Sequence, residues 1–153
     1  MLATDEITLK EFLVVGISVR TSNQNGQSKK DISELWDRFM REDIASKIPH
    51  KENGDIYCIY TDYESDFMGP YTTILGYKVA SIENLPEGLI VVTIPASKYN
   101  IYKSTGKLPY CVLQTWKEIW ESEIKRKYLA DFDVYPADAF SSENPVVETY
   151  LSV

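Results

Sequence analysis

The stretch ITLKEFLVVGISVRT, Ile7 to Thr21, is dense in β-branched residues and reads as one long first strand. The segments after it decide the fold. TSNQNGQSKK, Thr21 to Lys30, is polar and turn-like. Ile32, Leu35, Trp36, Phe39 and Met40 then recur at helical spacing, continued by Ile44 and Ile48. Asp31 and Glu34 have the spacing of a capping box at the start of this helix. After a loop containing Asn53-Gly54, DIYCIYTDY (Asp55 to Tyr63) and YTTILGYKVAS (Tyr71 to Ser81) read as two more strands. The order is β-α-β-β.

The second half repeats it. Gly88 to Thr93 and Lys98 to Ser104 are β-prone runs on either side of Pro95, one interrupted strand. Gly106 and Pro109 introduce a helix carrying Val112, Trp116, Ile119 and Trp120. Lys127 to Tyr135 and Pro145 to Val153 supply the last strands. Leu35-Trp36 aligns with Thr115-Trp116, and Leu75-Gly76-Tyr77 with Glu148-Thr149-Tyr150. The expected fold is α+β: two β-α-β-β halves, about 1–83 and 84–153, in one domain spanning 1–153, related by a pseudo-two-fold. NLPEG, Asn84 to Gly88, is the expected hinge. One helix cannot cover its small sheet alone, so the halves share apolar faces, and pockets favour such junctions.

Composition narrows the function. The net charge of −7 comes with no cluster of Lys and Arg, which argues against direct nucleic-acid contact. Cys58 and Cys111 fit neither a zinc spacing nor a disulfide framework and read as free buried thiols. The start of the chain, MLATDEITLKEF, lacks the pattern of a signal peptide, and no apolar run reaches membrane-spanning length, so a cytoplasmic protein is expected. His50, the one histidine, cannot build a histidine metal cluster and reads as a surface residue. The acidic string Asp62, Glu64, Asp66 fails as a calcium loop, because Phe67 stands where the turn glycine belongs. No phosphate-binding glycine loop or G-x-S-x-G elbow occurs. Neither a metal nor a cofactor is called for.

What remains is aromatic. Trp36, Phe39, Trp116 and Trp120 have core spacing, but such rings also line ligand pockets. Alternation in the last strand puts Glu148, Tyr150 and Ser152 on one face. That face is either solvated or a pocket wall carrying a carboxylate; the first-half face with Leu75 and Tyr77 favours the wall.

The stretch KYLADFDVYPADAFSSENPVVETYLSV resembles the end of GyrI-like, AraC-type effector-binding domains. Asp131-Phe132-Asp133-Val134-Tyr135 is similar to their D-F-E-x-Y segment, and Val147-Glu148-Thr149-Tyr150 to their V-E-x-Y. Ile94-Pro95-Ala96-Ser97-Lys98-Tyr99 resembles their middle strand, and Tyr71 with Gly76-Tyr77-Lys78-Val79 the end of their first half. Asp133 departs from the commoner Glu, and Ser152 stands where Pro is frequent. The resemblance implies an SHS2-like duplication, antiparallel sheets with a cleft between halves, and small hydrophobic or cationic organic ligands. It also implies a buried last-strand glutamate that meets cations among rings, a role that falls on Glu148.

The implied ligand set is Glu148, Tyr150, Trp36, Phe39, Tyr71, Tyr77, Trp116 and Trp120. No DNA-reading module precedes the first strand, so a free-standing drug-binding protein is expected, sequestering a ligand or reporting it to a separate protein partner. Two alternatives accompany this: a hydrolase of cyclopropane-type compounds using Glu148 as general acid/base, and a gyrase-modulating protein. The isolated chain should give no salt-sensitive, sequence-selective shift of duplex DNA in a gel assay; such a shift would contradict the charge argument.

Overall fold

The computed structural model describes Ala3 and residues 5–153. The long first strand is two: β1 (Asp5–Leu9) and β2 (Phe12–Thr21). A short 3-10 turn leads into α1 (Gln27–Arg41) and the single turn α2 (Ile44–Lys47), followed by β3 (Ile56–Thr61) and β4 (Tyr71–Val79). The second half runs β5 (Ile90–Ile94), β6 (Ser97–Thr105), α3 (Tyr110–Trp120), β7 (Ala130–Tyr135) and β8 (Val146–Ser152).

All strands join one antiparallel sheet in the order β1-β6-β8-β7-β3-β4-β2-β5. Exchanging β1 with β5, β2 with β6, β3 with β7 and β4 with β8 returns the same order reversed. The duplication is thus visible as a pseudo-two-fold passing between β3 and β7. These central strands pair from Ile56 opposite Tyr135 to Thr61 opposite Ala130.

The interruptions in the two long strands shape the sheet. Leu9 lies opposite Ser97, and Phe12 opposite Ile94, so the register passes through both breaks unchanged. Lys10-Glu11 and Pro95-Ala96 are therefore bends within one paired ladder. A chain step from Leu9 to Phe12 spans at most about 10 Å. The two ends of the eight-strand order must then come together, and the sheet curls.

That curl builds two cores. On the helix-bearing face, Leu35 and Phe39 of α1 and Val112, Trp116 and Ile119 of α3 pack on Val15, Leu75, Tyr102 and Leu151. The other face carries Val14, Ile59, Ile74, Ile94, Tyr99 and Phe132, exposed by 2% or less although both helices pack on the opposite face. The curled sheet covers that face itself. Strands buried on both sides explain why β2 and β4 read as near-continuous apolar runs rather than alternating ones.

Gly16 and Gly76 face each other across β2 and β4. A methyl group on Gly16 would overlap the Leu75 carbonyl, and one on Gly76 the Val15 carbonyl. The paired glycines allow the close backbone approach that the curl demands.

Three local expectations change. α1 begins at Gln27, not Asp31, and has no side-chain cap; Asp31 instead accepts from Gln27 Nε2 at 3.3 Å. The helical spacing through Ile44 and Ile48 is broken at Asp43, whose φ is 48°, yet both isoleucines still reach the core. Cys58 is buried, but Cys111 is only half-buried; both are free. His50 is exposed, matching the sequence reading, with a ring nitrogen 3.1 Å from the Glu83 carbonyl oxygen. Among the described residues no helix is long and apolar enough to cross a membrane.

Gly76→Ala should cost about 2–4 kcal/mol in urea-induced unfolding, an overpacking loss against backbone that cannot move aside. A loss below about 0.5 kcal/mol would show that the two strands have room to spare.

Candidate functional site

Strands β3, β4 and β7 present one face to the gap between α1 and α3. A cleft of about 560 Å³ opens there. Its walls include Trp36 from α1, Tyr60 from β3, Tyr63 after it, Tyr71 from β4, and Trp116 and Trp120 from α3. This volume suits a drug-sized molecule, and density in rings gives apolar area at low entropic cost. The rings brace one another: Trp116 lies edge-on to Tyr60 at 5.1 Å, Trp36 edge-on to Tyr135 at 5.0 Å, and Phe67 stacks on Trp120 at 6.1 Å.

Behind this wall lie two buried aspartates, two residues apart on β7 and therefore on the same face. Asp133 is fully buried. Trp116 Nε1 donates to both its oxygens, at 3.0 and 3.1 Å. Tyr60 Oη donates to Oδ2 at 2.9 Å, and Thr149 Oγ1 donates to Oδ1. Cys58 Sγ in turn donates to Tyr60 Oη at 3.3 Å. Burial pushes the Asp133 carboxyl up to about 6, while the donors from Thr149, Trp116 and Tyr60 pull the other way. Burial and the neighbouring Asp133 drive the Tyr60 hydroxyl far above its ordinary value, so it stays a neutral donor.

Asp131, also fully buried, is held differently. Arg126 Nη2 reaches its Oδ2 at 2.8 Å and Tyr63 Oη donates to the same oxygen at 2.6 Å. Ser152 donates its N–H at 2.7 Å and its hydroxyl at 2.9 Å to Oδ1. Asp131 is a paired ion; among the described residues Asp133 has hydrogen bonds but no cation. The charge left over on the cleft side is therefore that of Asp133.

The structure gathers Trp36, Tyr71, Trp116 and Trp120 of the expected set into the cleft and separates the others. Phe39 is core, with its ring 5.8 Å from that of Tyr77. Tyr77 lies outside the cleft lining, beneath the Lys51 ammonium at 4.9 Å. Glu148 and Tyr150 stand on the opposite face of the sheet. Thr149 reaches Asp133, so its neighbours Glu148 and Tyr150 point away. Tyr150 stacks on Phe132 at 4.7 Å, and Glu148 acts electrostatically on Tyr57 and Tyr150. Phe132, Tyr57 and Tyr150 line a separate depression of about 710 Å³, along with the charged Glu52 and Lys78.

The physical reason is a register slip. Leu75 and Tyr77 belong to the helix-side core, as do Val147 and Leu151, so Leu75-Gly76-Tyr77 cannot match Glu148-Thr149-Tyr150. A shift of one residue reverses every side chain. Sequence reasoning did not assign Asp131, Asp133, Tyr60, Tyr63 or Arg126 to the site. The available signal was ADFDVY itself, two aspartates alternating with apolar residues in a strand that turns out to be covered on both faces.

With this geometry in view, the chain belongs to the family described as Cass2, integron-associated effector binding protein, whose model matches residues 7–153. It is 30% identical over 152 residues to YobU of Bacillus subtilis (strain 168), named as a candidate transcriptional regulator, covering 96% of this chain and 94% of that one. An integron cassette protein from the mobile metagenome of Vibrio cholerae is 28% identical, with a TM-score of 0.76 over 99% of this chain and 95% of that one. SAV2435, solved bound to tetraphenylphosphonium, shares the fold at 22% identity, with a TM-score of 0.81 over 100% of this chain and 94% of that one. The mixed α+β, eight-stranded antiparallel architecture is that of GyrI-like effector-binding proteins.

An ordinary aspartate ionises near 3.8, whereas folded Asp133 does so near 6. Between these values the folded chain holds a proton that the unfolded chain has released. This contribution to stability is present below the unfolded value and is lost as pH rises through the folded one. Asp133→Asn removes the titration. Relative to wild type, the variant should gain about 2–3 kcal/mol of unfolding free energy on going from pH 4 to pH 7.5. Parallel pH–stability curves for the two proteins would contradict the assignment.

Proposed function

We propose that the protein binds lipophilic organic cations in the aromatic cleft, with Asp133 as the electrostatic anchor, and acts by sequestering or sensing them. The observation that carries this reading is that two of the three side chains donating to Asp133, Trp116 through Nε1 and Tyr60 through Oη, belong to rings lining the cleft. A cation seated against those rings faces the carboxylate across one layer of aromatic side chain. At an effective dielectric of ~20 and a separation of roughly 6 Å, the attraction is about 3 kcal/mol before desolvation. A desolvated cation on a ring face adds about 1–2 kcal/mol. Donation of the ring N–H and O–H to a carboxylate further enriches both π faces. Rings accept varied shapes, which gives breadth of ligand.

Two further facts support the reading. The family is one of effector-binding proteins, and a structural neighbour binds tetraphenylphosphonium. Glu148 is on the other face of the sheet from the aromatic cleft, and the depression there sets Lys10 and Lys78 beside Glu11 and Glu52, with Lys78 paired to Glu52 at 3.4 Å, so it offers a cation no net charge. The hydrolytic alternative rested on Glu148, which is not among the residues lining the cleft.

Calorimetric titration with tetraphenylphosphonium tests this. Asp133→Asn should weaken binding about tenfold or more, equal to about 1.4 kcal/mol, while Glu148→Gln leaves it within about twofold. In the wild type, affinity should fall as pH drops through about 6, where Asp133 takes up its proton, and the variant should lack that dependence. A larger loss from Glu148→Gln than from Asp133→Asn would return the anchor to the other face of the sheet.

A further inference from the structure

Arg126 is not fully used by its ion pair. It leaves the loop between α3 and β7, and its side chain is 4% exposed. A guanidinium has five N–H donors and no acceptor. Nη2 serves Asp131 at 2.8 Å and approaches Tyr63 Oη at 3.4 Å. Nε and Nη1 are buried and have no hydrogen-bond partner among the described residues. The guanidinium carbon sits 4.3 Å from the ring centre of Tyr128, 5.6 Å from Trp116 and 5.8 Å from Tyr63. Ring faces hold the charge, but they are weak acceptors for N–H. Arg126 also lines the aromatic cleft.

A purely structural role accounts poorly for this. Asp131 already accepts from Tyr63 Oη and from the N–H and hydroxyl of Ser152. One further contact from Nη2 is within reach of a lysine. The planar fork, with donors left over, is the part of arginine that Asp131 does not use.

Trp116 ties this group to the anchor. Its indole N–H is bound to Asp133, and its ring lies beside Arg126. The Asp133 carboxylate and the Arg126 guanidinium, itself paired with Asp131, thus lie on either side of one indole.

We infer that Arg126 receives an acceptor oxygen of the ligand, so that the cleft prefers lipophilic cations carrying a carboxylate or carbonyl a short chain away from the charge. This rests on the cation reading above. It adds a requirement that a simple onium ion does not meet: an oxygen that enters the ring cage and takes up Nε–H or Nη1–H. Charge-assisted hydrogen bonds of this kind are stronger than neutral ones, and an unmatched buried donor gains most from being met.

The probes are pentyltriphenylphosphonium and (4-carboxybutyl)triphenylphosphonium, which share the triaryl cation and chain length and differ in the terminal carboxylate. Dissociation constants are measured for wild type, Arg126→Lys, Arg126→Gln and Asp133→Asn, with thermal unfolding as a check of folding. Wild type should prefer the carboxylated probe about tenfold. Arg126→Lys keeps the charge and the Asp131 contact but loses the spare donors; the preference should fall at least about threefold. In Arg126→Gln the preference should vanish or invert. Pentyltriphenylphosphonium, which has no oxygen for the spare donors, should bind Arg126→Lys within about twofold of wild type. If Arg126→Gln does not fold, Arg126→Lys decides alone. An unchanged preference in the folded variants, or none in wild type, overturns the inference. In that case Asp133-dependent binding of pentyltriphenylphosphonium leaves the cation reading standing. Failure of both probes to bind wild type overturns both.

Discussion

Two carboxylates buried on one strand face constrain everything around them. An unmatched ion in such a place is not sustainable, so β7 dictates its surroundings. Asp131 needs Arg126 from the preceding loop, Tyr63 from beyond β3 and Ser152 from the end of β8. Asp133 needs Tyr60 from β3, Trp116 from α3 and Thr149 from β8. Between them the two residues fasten the second helix, both neighbouring strands and the chain end to the centre of the sheet. They also place aromatic donors where a ligand would meet them. The same contacts that make the charges tolerable form the wall of the cleft.

The two sites are solved unequally, and this inequality is where function enters. Asp131 has a cation and behaves as architecture. Among the described residues Asp133 has only neutral donors, which offset part of the burial cost that raises its ionisation range. A protein selected for stability alone would do better with a neutral group there. On the proposal that the cleft binds cations, a cation arriving from solvent relieves that cost. Arg126 carries the complementary excess, as donors beyond those its partner needs. The cleft wall thus backs onto a carboxylate held by neutral donors alone and carries, on Arg126, donors without a partner among the described residues.

Much of the architecture is legible in the residues. The repeated β-α-β-β order, the interruption at Pro95 and the aromatic helix positions Trp36 and Trp116 all come from periodicity and turn chemistry. The candidate site is less legible. Strand side chains alternate with a period of two, so aligning Leu75-Gly76-Tyr77 with Glu148-Thr149-Tyr150 one residue out of register put Glu148 on the face of Leu75 and Tyr77, whereas it stands on the opposite face of the sheet. Asp133 is hard to read for a separate reason: an aspartate alternating with Phe132 and Val134 looks like the wet side of a half-buried strand. Nothing local distinguishes a wet face from one covered by a helix and a ring wall.

The sequence by itself determined the class of fold, the duplication and the supply of rings, because each depends on spacing along the chain. Tertiary structure alone decided which carboxylate is buried, which face of β8 meets the cleft and which donors are left over on Arg126. These depend on pairing between residues far apart: Cys58 opposite Asp133, Asp133 opposite Thr149, and α3 laid across β6 so that Trp116 reaches β7. A buried charge is defined by what surrounds it in space, and that information exists only once the sheet has closed its register.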